Sequence, residues 1–552
     1  MVLAVIGCSA PQPPPAPEVG QGAGEMKPQK GGILVGPTRR LPSCLYFLAE
    51  GCIIGGLKTT VLPIWEGIVD FESVEPGRQT QGVGKFAPRL AESWKQVDPK
   101  TWEFTLRKGV KWHDGKDFSA EDVLWSLERW KDGISNSSVR TTADAFEKVE
   151  STGPYQVRIT LKAPSPYFLD SITYIEPRIL PAHVAKQAGN PTGDALIKLY
   201  DANPIGTGPF KLRSFDKSSQ AEIERFDGYW GEGPYLDGIR VPLLRDLATW
   251  MAAFASSKID FLTLDDKVQK DTVIRTAPKA TVISYMNDGT AGLVFNTNQA
   301  PWNDVRVRRA LHLALDREPI RQTVTAGEGM AGFGPVPPIS TEAGVGVSFD
   351  EFTQLPGYRQ PKAQDLAEAK KLLVEAGIPP RYRVTIKYDR GTGTASGLAE
   401  PIASLLRDSL GWDTTVQALE PATFLAEVEV ERKFDLVVAT FGQHNSLANS
   451  IANTWHSKGP NNYFGVKDPE MDRLIEAAQT ELDDKKRSQL VAQIQRRFNE
   501  QAYALPAPMV VRYMLWHPWL HNFYGSLSTN PSLFNSNTYW MEQEKIPADR
   551  RG

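Results

Sequence analysis

The stretch Thr101-Trp102-Glu103-Phe104-Thr105-Leu106-Arg107-Lys108-Gly109-Val110-Lys111-Trp112-His113-Asp114-Gly115 joins several local signals in one run. Trp102, Phe104 and Leu106 alternate with polar Glu103 and Thr105, the period-two pattern of a strand with one buried face. Lys108-Gly109 stops it. Val110-Lys111-Trp112 predicts a second short strand, ended at His113-Asp114-Gly115, where Asp bonds its own backbone and Gly accepts a positive φ. Ser119 then stands at an N-cap position, with Glu121 and Asp122 in the first turn where the helix dipole favours acids. Val123, Leu127 and Trp130 share one helical face. The region predicts a small α+β unit.

Toward the N-terminus, Gly31-Gly32-Ile33-Leu34-Val35 has the pattern of a short buried strand, and a compact region opens at Pro63-Ile64-Trp65. Toward the C-terminus the texture changes. Leu366, Ala369, Leu373 and Ala376 recur at helical spacing over 364–376, and Gly377 and Pro379 end the helix. Strands are predicted around Val384 and Ile386, over 415–419 and over 436–440, with a helix over 395–410 stopped by Gly411. This alternation predicts an α/β domain with a partly parallel sheet. Ligands of such open sheets sit beyond the carboxyl ends of the strands, which points to the residues after Thr440. One long helix is predicted from Pro469 to Gln501, with Leu474, Ala477, Leu482, Leu490, Ile494 and Phe498 in its apolar stripe.

The 552 residues, 41% hydrophobic and 23% charged, are enough for two or three structural units with a large core. A net charge of -3 and the lack of a Lys/Arg run give no basis for nucleic-acid binding. No apolar run reaches the length of a membrane span. Most of the 14 Trp, 16 Tyr and 23 Phe are expected in the core, while a surplus of Trp is also what lines cavities for small organic ligands. Cys8 follows the apolar run Met1 to Gly7 and precedes Ser9-Ala10, which resembles the tail of a lipoprotein signal with Cys8 as the lipidated residue. The run is short and lacks a basic leader, so an ordinary frayed terminus is the alternative. Pro11 to Gly32 reads as a flexible tether. Cys44 and Cys52 are either a disulfide or two buried thiols.

The usual catalytic constellations do not occur. There is no phosphate loop, His-Glu-x-x-His, Gly-x-Ser-x-Gly or Cys-x-x-Cys. His444 and His456 are the nearest pair suggestive of a metal, and Asp483-Asp484 reads as a solvated helix face. Binding without catalysis is the expectation.

Four blocks together carry a resemblance. The first joins Leu90-Ala91-Glu92-Ser93-Trp94 to the opening stretch and to Ser119-Ala120-Glu121-Asp122-Val123. The second is Gly206-Thr207-Gly208-Pro209-Phe210 with Phe226-Asp227-Gly228-Tyr229-Trp230. The third runs from Val294-Phe295-Asn296-Thr297-Asn298 through Pro301-Trp302-Asn303-Asp304-Val305-Arg306-Val307-Arg308-Arg309 to Asp316-Arg317. The fourth is Phe434-Asp435-Leu436 with Asp468-Pro469-Glu470-Met471-Asp472. From about Gly31 to about Pro518 the chain resembles the extracellular solute-binding proteins of family 5, the peptide- and nickel-type binding subunits of ABC importers.

The resemblance implies a periplasmic-binding-protein-like α/β fold, with two main lobes joined by a hinge and a third α+β lobe inserted. After a tether over 1–30, lobe I would comprise 31–79, 204–290 and 506–552, lobe II 80–203, and lobe III 291–505. It implies a monomer without cofactor, periplasmic or on the cell surface and anchored through Cys8, that carries a small organic solute to permease subunits. The lobes would close on the solute. In peptide-binding members, an Asp after the strand beginning Phe-Asp pairs with the peptide α-ammonium. By ungapped counting His444 stands there, within Phe441-Gly442-Gln443-His444-Asn445. A neutral imidazole does not replace a carboxylate opposite a buried ammonium. The expected solute is therefore an oligosaccharide or an opine-like or modified amino acid, met by Phe441, Gly442, Gln443, His444 and Asn445, with Trp455 and Tyr463 nearby. Position alone adds Gly55 and Gly56 from lobe I, Ser137 and Arg140 from lobe II, and Phe295 and Asn296 from lobe III. The alternatives are a peptide carrier, a metal-chelate or haem carrier using His444 or His456, and, in another class, a secreted hydrolase.

Overall fold

This computed structural model describes residues 27–49, 52, 62–71, 86–133, 135, 137–173, 177–264, 266–286, 290–336, 345–441, 447–523 and 533–550. Among the described residues the first strand is β1 (Ile33–Val35), followed by β2 (Val69–Phe71) and β3 (Phe86–Pro88), which pair with each other. β4 (Ala91–Asp98), β5 (Thr101–Leu106), β6 (Phe146–Gly153) and β7 (Gln156–Leu161) form an antiparallel sheet of order β4-β5-β7-β6. β8 (Phe210–Asp216), β9 (Gln220–Arg225) and β10 (Gly238–Pro242) form a second, to which β1 adds in parallel beside β10. β11 (Phe261–Leu264) and β12 (Thr281–Met286) follow.

Within the opening stretch, β5 buries Phe104 and Leu106 as its alternation requires. The helix Ala120–Arg129 starts at Ser119 with a capping box, since Ser119 Oγ accepts from Glu121 N–H and Asp122 returns a bond to the Ser119 N–H. Val110-Lys111-Trp112 corrects the prediction, because it forms no strand. It curls instead on its own turn, with Trp112 N–H donating to Lys116 O and Phe118 N–H to Val110 O. With the backbone satisfied locally, a single Lys111–Asp117 bridge is all the pairing that remains.

Beyond β12 the chain builds another sheet from β13 (Thr290–Phe295), β14 (Arg383–Asp389), β15 (Asp413–Leu419), β16 (Leu436–Phe441) and β17 (Ala504–Pro506). Its order is β15-β14-β16-β13-β17. β14 runs parallel to β15 and β16, and β13 runs antiparallel to β16 and β17. The helix Gly393–Leu410 covers one face and ends at Gly411, whose φ of 71° suits its missing Cβ. The single long helix predicted over 469–501 is two, Pro469–Thr480 and Asp484–Gln501. Asp483 causes the break, because its carboxylate caps the second helix by accepting from Lys486 N–H. Leu482, expected in the apolar stripe, lies in that break and is 39% exposed.

The chain then returns to the first sheets through β18 (Val511–Trp516), which lies between β11 and β12, and ends with the paired strands β19 (Leu520–His521) and β20 (Trp540–Met541). The cores divide the chain into two bodies. One large cluster takes residues from Leu34 to Tyr285 and from Met514 to Ile546, so the inserted β4–β7 unit and the sheet containing β8–β10 share a core. A smaller cluster beside it uses Val35, Trp250, Phe254, Tyr513 and Leu515. Two others pack the two faces of the β13–β17 sheet, drawing only on residues from Ala291 to Ala507. Cys44 and Cys52 form a disulfide with Cα atoms 5.1 Å apart. Among the described residues no helix is long and apolar enough to cross a membrane.

Candidate binding cleft

The chain passes between the two bodies twice, from β12 to β13 and from β17 to β18. The described ends of these passages lie side by side. Met286 pairs with Val511 in the first body, while Gly292 pairs with Pro506 and Ala507 N–H donates to Ala291 O in the second. A two-stranded ribbon therefore joins bodies whose cores are separate, the arrangement a hinge needs.

The ribbon also locates the working edge of the β13–β17 sheet. Thr290, where the chain enters that sheet, lies opposite Phe441, the last residue of β16. Because β14 and β15 run parallel to β16, Asp389 and Leu419 end at the same edge. All three carboxyl ends thus face the space between the bodies, where an open α/β sheet places its ligand. At this edge Asp389 accepts from Gly391 N–H at 2.8 Å and from the Thr392 hydroxyl at 3.0 Å. Glu429 lies nearby on a π-helical turn, Leu425–Val430. Burial holds its carboxyl above the usual range, and the charge of Asp389 adds to the rise. The Tyr463 hydroxyl is pushed up as well, chiefly by burial and then by Glu429.

A second crossing contact joins the inserted unit to the other body. Arg487, on the helix Asp484–Gln501, places its guanidinium carbon 5.4 Å from the ring centre of Tyr167 in the inserted unit. Burial raises the Tyr167 hydroxyl to about 12 against the pull of Arg487, and raises the neighbouring Asp170 carboxyl to about 7. Among the described residues the bodies thus meet at the ribbon, which lies at the carboxyl-end edge of the sheet, and at the Arg487–Tyr167 contact.

The expected site residues fall into distinct groups. Phe441 and Trp455 are buried and meet edge to face with centroids 5.3 Å apart. Trp455 also stacks on Phe464 and meets Phe498, so its ring serves a core. Tyr463 packs on Phe464 and Phe434 at the margin of the same cluster. Phe295 points to the other face of the sheet against Trp302. Asn296 is buried and donates to Arg432 O and Phe434 O, which ties a loop. Arg140 donates to Gly133 O at 3.2 Å within the insert. Gly55, Gly56, Gly442, Gln443, His444 and Asn445 lie outside the described residues, as does the side chain of Ser137. Cys8 lies outside them too. His456 faces Glu476 at 3.2 Å as a surface pair, and no group of three metal-ligating side chains occurs among the described residues.

Sequence reasoning missed Asp389, Glu429, Tyr167 and Arg487. Asp389 was within reach, because the rule that pointed past Thr440 applies equally to the end of β14. Tyr167 and Arg487 carry no local signal, being brought together only by the docking of two bodies.

The profile of the Bacterial extracellular solute-binding proteins, family 5 Middle, matches residues 85–463. The periplasmic oligopeptide-binding protein OppA of Salmonella typhimurium is 26% identical over 467 residues, 80% of this chain and 82% of that protein. Among solved structures, the oligopeptide-binding protein AppA from Bacillus subtilis, in complex with a nonapeptide, superposes with a TM-score of 0.76 at 21% identity, over 93% of this chain and all of that one. The binding protein AgaA, in complex with agropinic acid from A. tumefaciens R10, gives 0.71 at 23% identity, over 93% and 99%.

Proposed function

The chain belongs to the bacterial extracellular solute-binding proteins of family 5, and on that premise we propose that it captures a small organic solute between its two bodies and releases it to an importer. Its place as the solute-binding subunit of an ABC importer follows from the family. The observation that supports capture by closure is the pairing of two independent cores with one two-stranded ribbon. A ribbon of this kind bends at little cost, while a solute touching both bodies favours the closed form through contacts the open form lacks. No bond is made or broken. The β4–β7 insert acts as a third lobe riding on the first body, and the protein works as a monomer outside the cytoplasm, held to a membrane through Cys8.

For the solute we propose an oligosaccharide or an opine-like or modified amino acid. The run Gln443-His444-Asn445 offers amide and imidazole groups suited to hydroxyls, amides or an anion, and no carboxylate for an α-ammonium. The fold accommodates such a solute in AgaA, which holds agropinic acid. A second reading, a peptide, is favoured by Asp389 at the carboxyl-end edge, whose carboxylate offers an ammonium a partner from another side. Native mass spectrometry of gently purified protein, compared with its denatured mass, tests both. A retained sugar or opine-like mass supports the first reading and a peptide mass supports the second. Titration calorimetry with agropinic acid and with an unmodified tripeptide gives the same decision for added solutes.

A further inference from the structure

We infer that Arg487 is a latch that holds the closed form, docking the insert's Tyr167–Asp170 segment against the helix Asp484–Gln501. The inference rests on the proposed closure of the two bodies. Tyr167 sits just before the short helix Phe168–Thr173, whose Phe168, Leu169 and Ile172 belong to the core of the first body. Arg487 belongs to a helix whose Val491, Ile494 and Phe498 lie in a core of the second. The contact is therefore made only when the bodies meet. It stands fourteen residues before the end of that helix at Gln501, roughly 20 Å along the helix axis from the turn that leads into β17.

The guanidinium is already fixed by its own body. It donates to Glu481 O at 3.0 Å and Leu482 O at 3.3 Å, and it pairs with Asp484. Docking onto Tyr167 therefore costs little side-chain freedom, and a planar cation over an aromatic face gains most where water is partly excluded. The Asp170 carboxyl, three residues on in the insert, is raised to about 7 by burial and lies within the field of the same guanidinium. The break at Asp483, which divides the predicted long helix, is what turns the 481 and 482 carbonyls toward Arg487.

The test uses the full chain in a Cys8→Ser background, with spin labels at Glu147→Cys on the insert and Lys370→Cys on the second body, both exposed positions. Interlabel distances are measured by electron double resonance without added solute. The wild type is expected to show a short-distance population that Arg487→Ala reduces about fivefold, with Arg487→Lys intermediate because it loses the planar stack. Tyr167→Ala should act like Arg487→Ala from the other side, which keeps the test valid if either variant folds poorly. An unchanged short-distance population in both variants overturns the latch while leaving closure standing. A wild type with one broad open distance overturns the latch and the closing-body reading together.

Discussion

The Nδ1 atom of His113 accepts a hydrogen bond from the Gly206 N–H at 3.2 Å, while its Nε2 faces the Gly208 carbonyl at 3.0 Å. The ring thus bridges two turns far apart in sequence, as the tautomer with hydrogen on Nε2. Adding a second proton would set two donors against each other at Nδ1. Burial lowers the ring to about 4 from its ordinary 6.5. A depressed folded value contributes stability above 6.5 that is lost as pH falls through about 4. Melting temperature measured from pH 8 to pH 4 should fall most steeply in that window. His113→Gln should start about 1–2 kcal/mol less stable at pH 7 and show a shallower acid slope.

Gly206 marks the same junction from the other side. A Cβ there would overlap the Ile64 carbonyl oxygen, and the backbone has nowhere to shift because Gly208 N–H donates to that carbonyl at 2.9 Å. Gly206→Ala is expected to cost about 4 kcal/mol or to prevent folding. Gly115, with φ at 84° and open space around it, should lose only about 1 kcal/mol on replacement by Ala. Urea unfolding of both variants checks the contrast.

Trp455 stands among Phe441, Phe464 and Phe498 with no exposed surface. Trp455→Ala should destabilise by about 3–5 kcal/mol, whereas Leu482→Ala at the helix break should fall within about 0.5 kcal/mol of the wild type. A Trp455→Phe variant that folds but loses its co-purified solute would instead return this ring to the ligand.

Asp260 is fully buried, and both its oxygens are occupied by Arg550, with Trp519 Nε1 and Val35 N–H completing its bonds. This carboxylate fastens the C-terminal end of the chain to β1 and β11. Arg550→Ala leaves a buried charge without a counterion and should cost about 3 kcal/mol. Arg550→Lys should recover part of it. Thermal unfolding with hydrogen exchange at 511–523 reads the loosening.

The local elements were legible because their causes are local. The alternation in β5, the Ser119 cap and the stop at Gly411 each follow from residues close in sequence. Where neighbours supplied a competing satisfaction, the reading failed. The Lys116 and Val110 carbonyls took the bonds a strand at 110–112 would have needed, and the Asp483 carboxylate outbid the continuing helix.

Sequence by itself determined the family, the alternation of elements and the edge of the sheet at which to look, since blocks of residues that lock turns and caps act over short spans. Tertiary structure alone decided that Phe295, Asn296 and Trp455 serve packing, that the charge of Asp389 reaches Glu429, and that Arg487 meets Tyr167. The physical reason is that burial and cross-body contact depend on which faces meet. That is settled by packing separate cores around a ribbon, not by the spacing of residues along the chain.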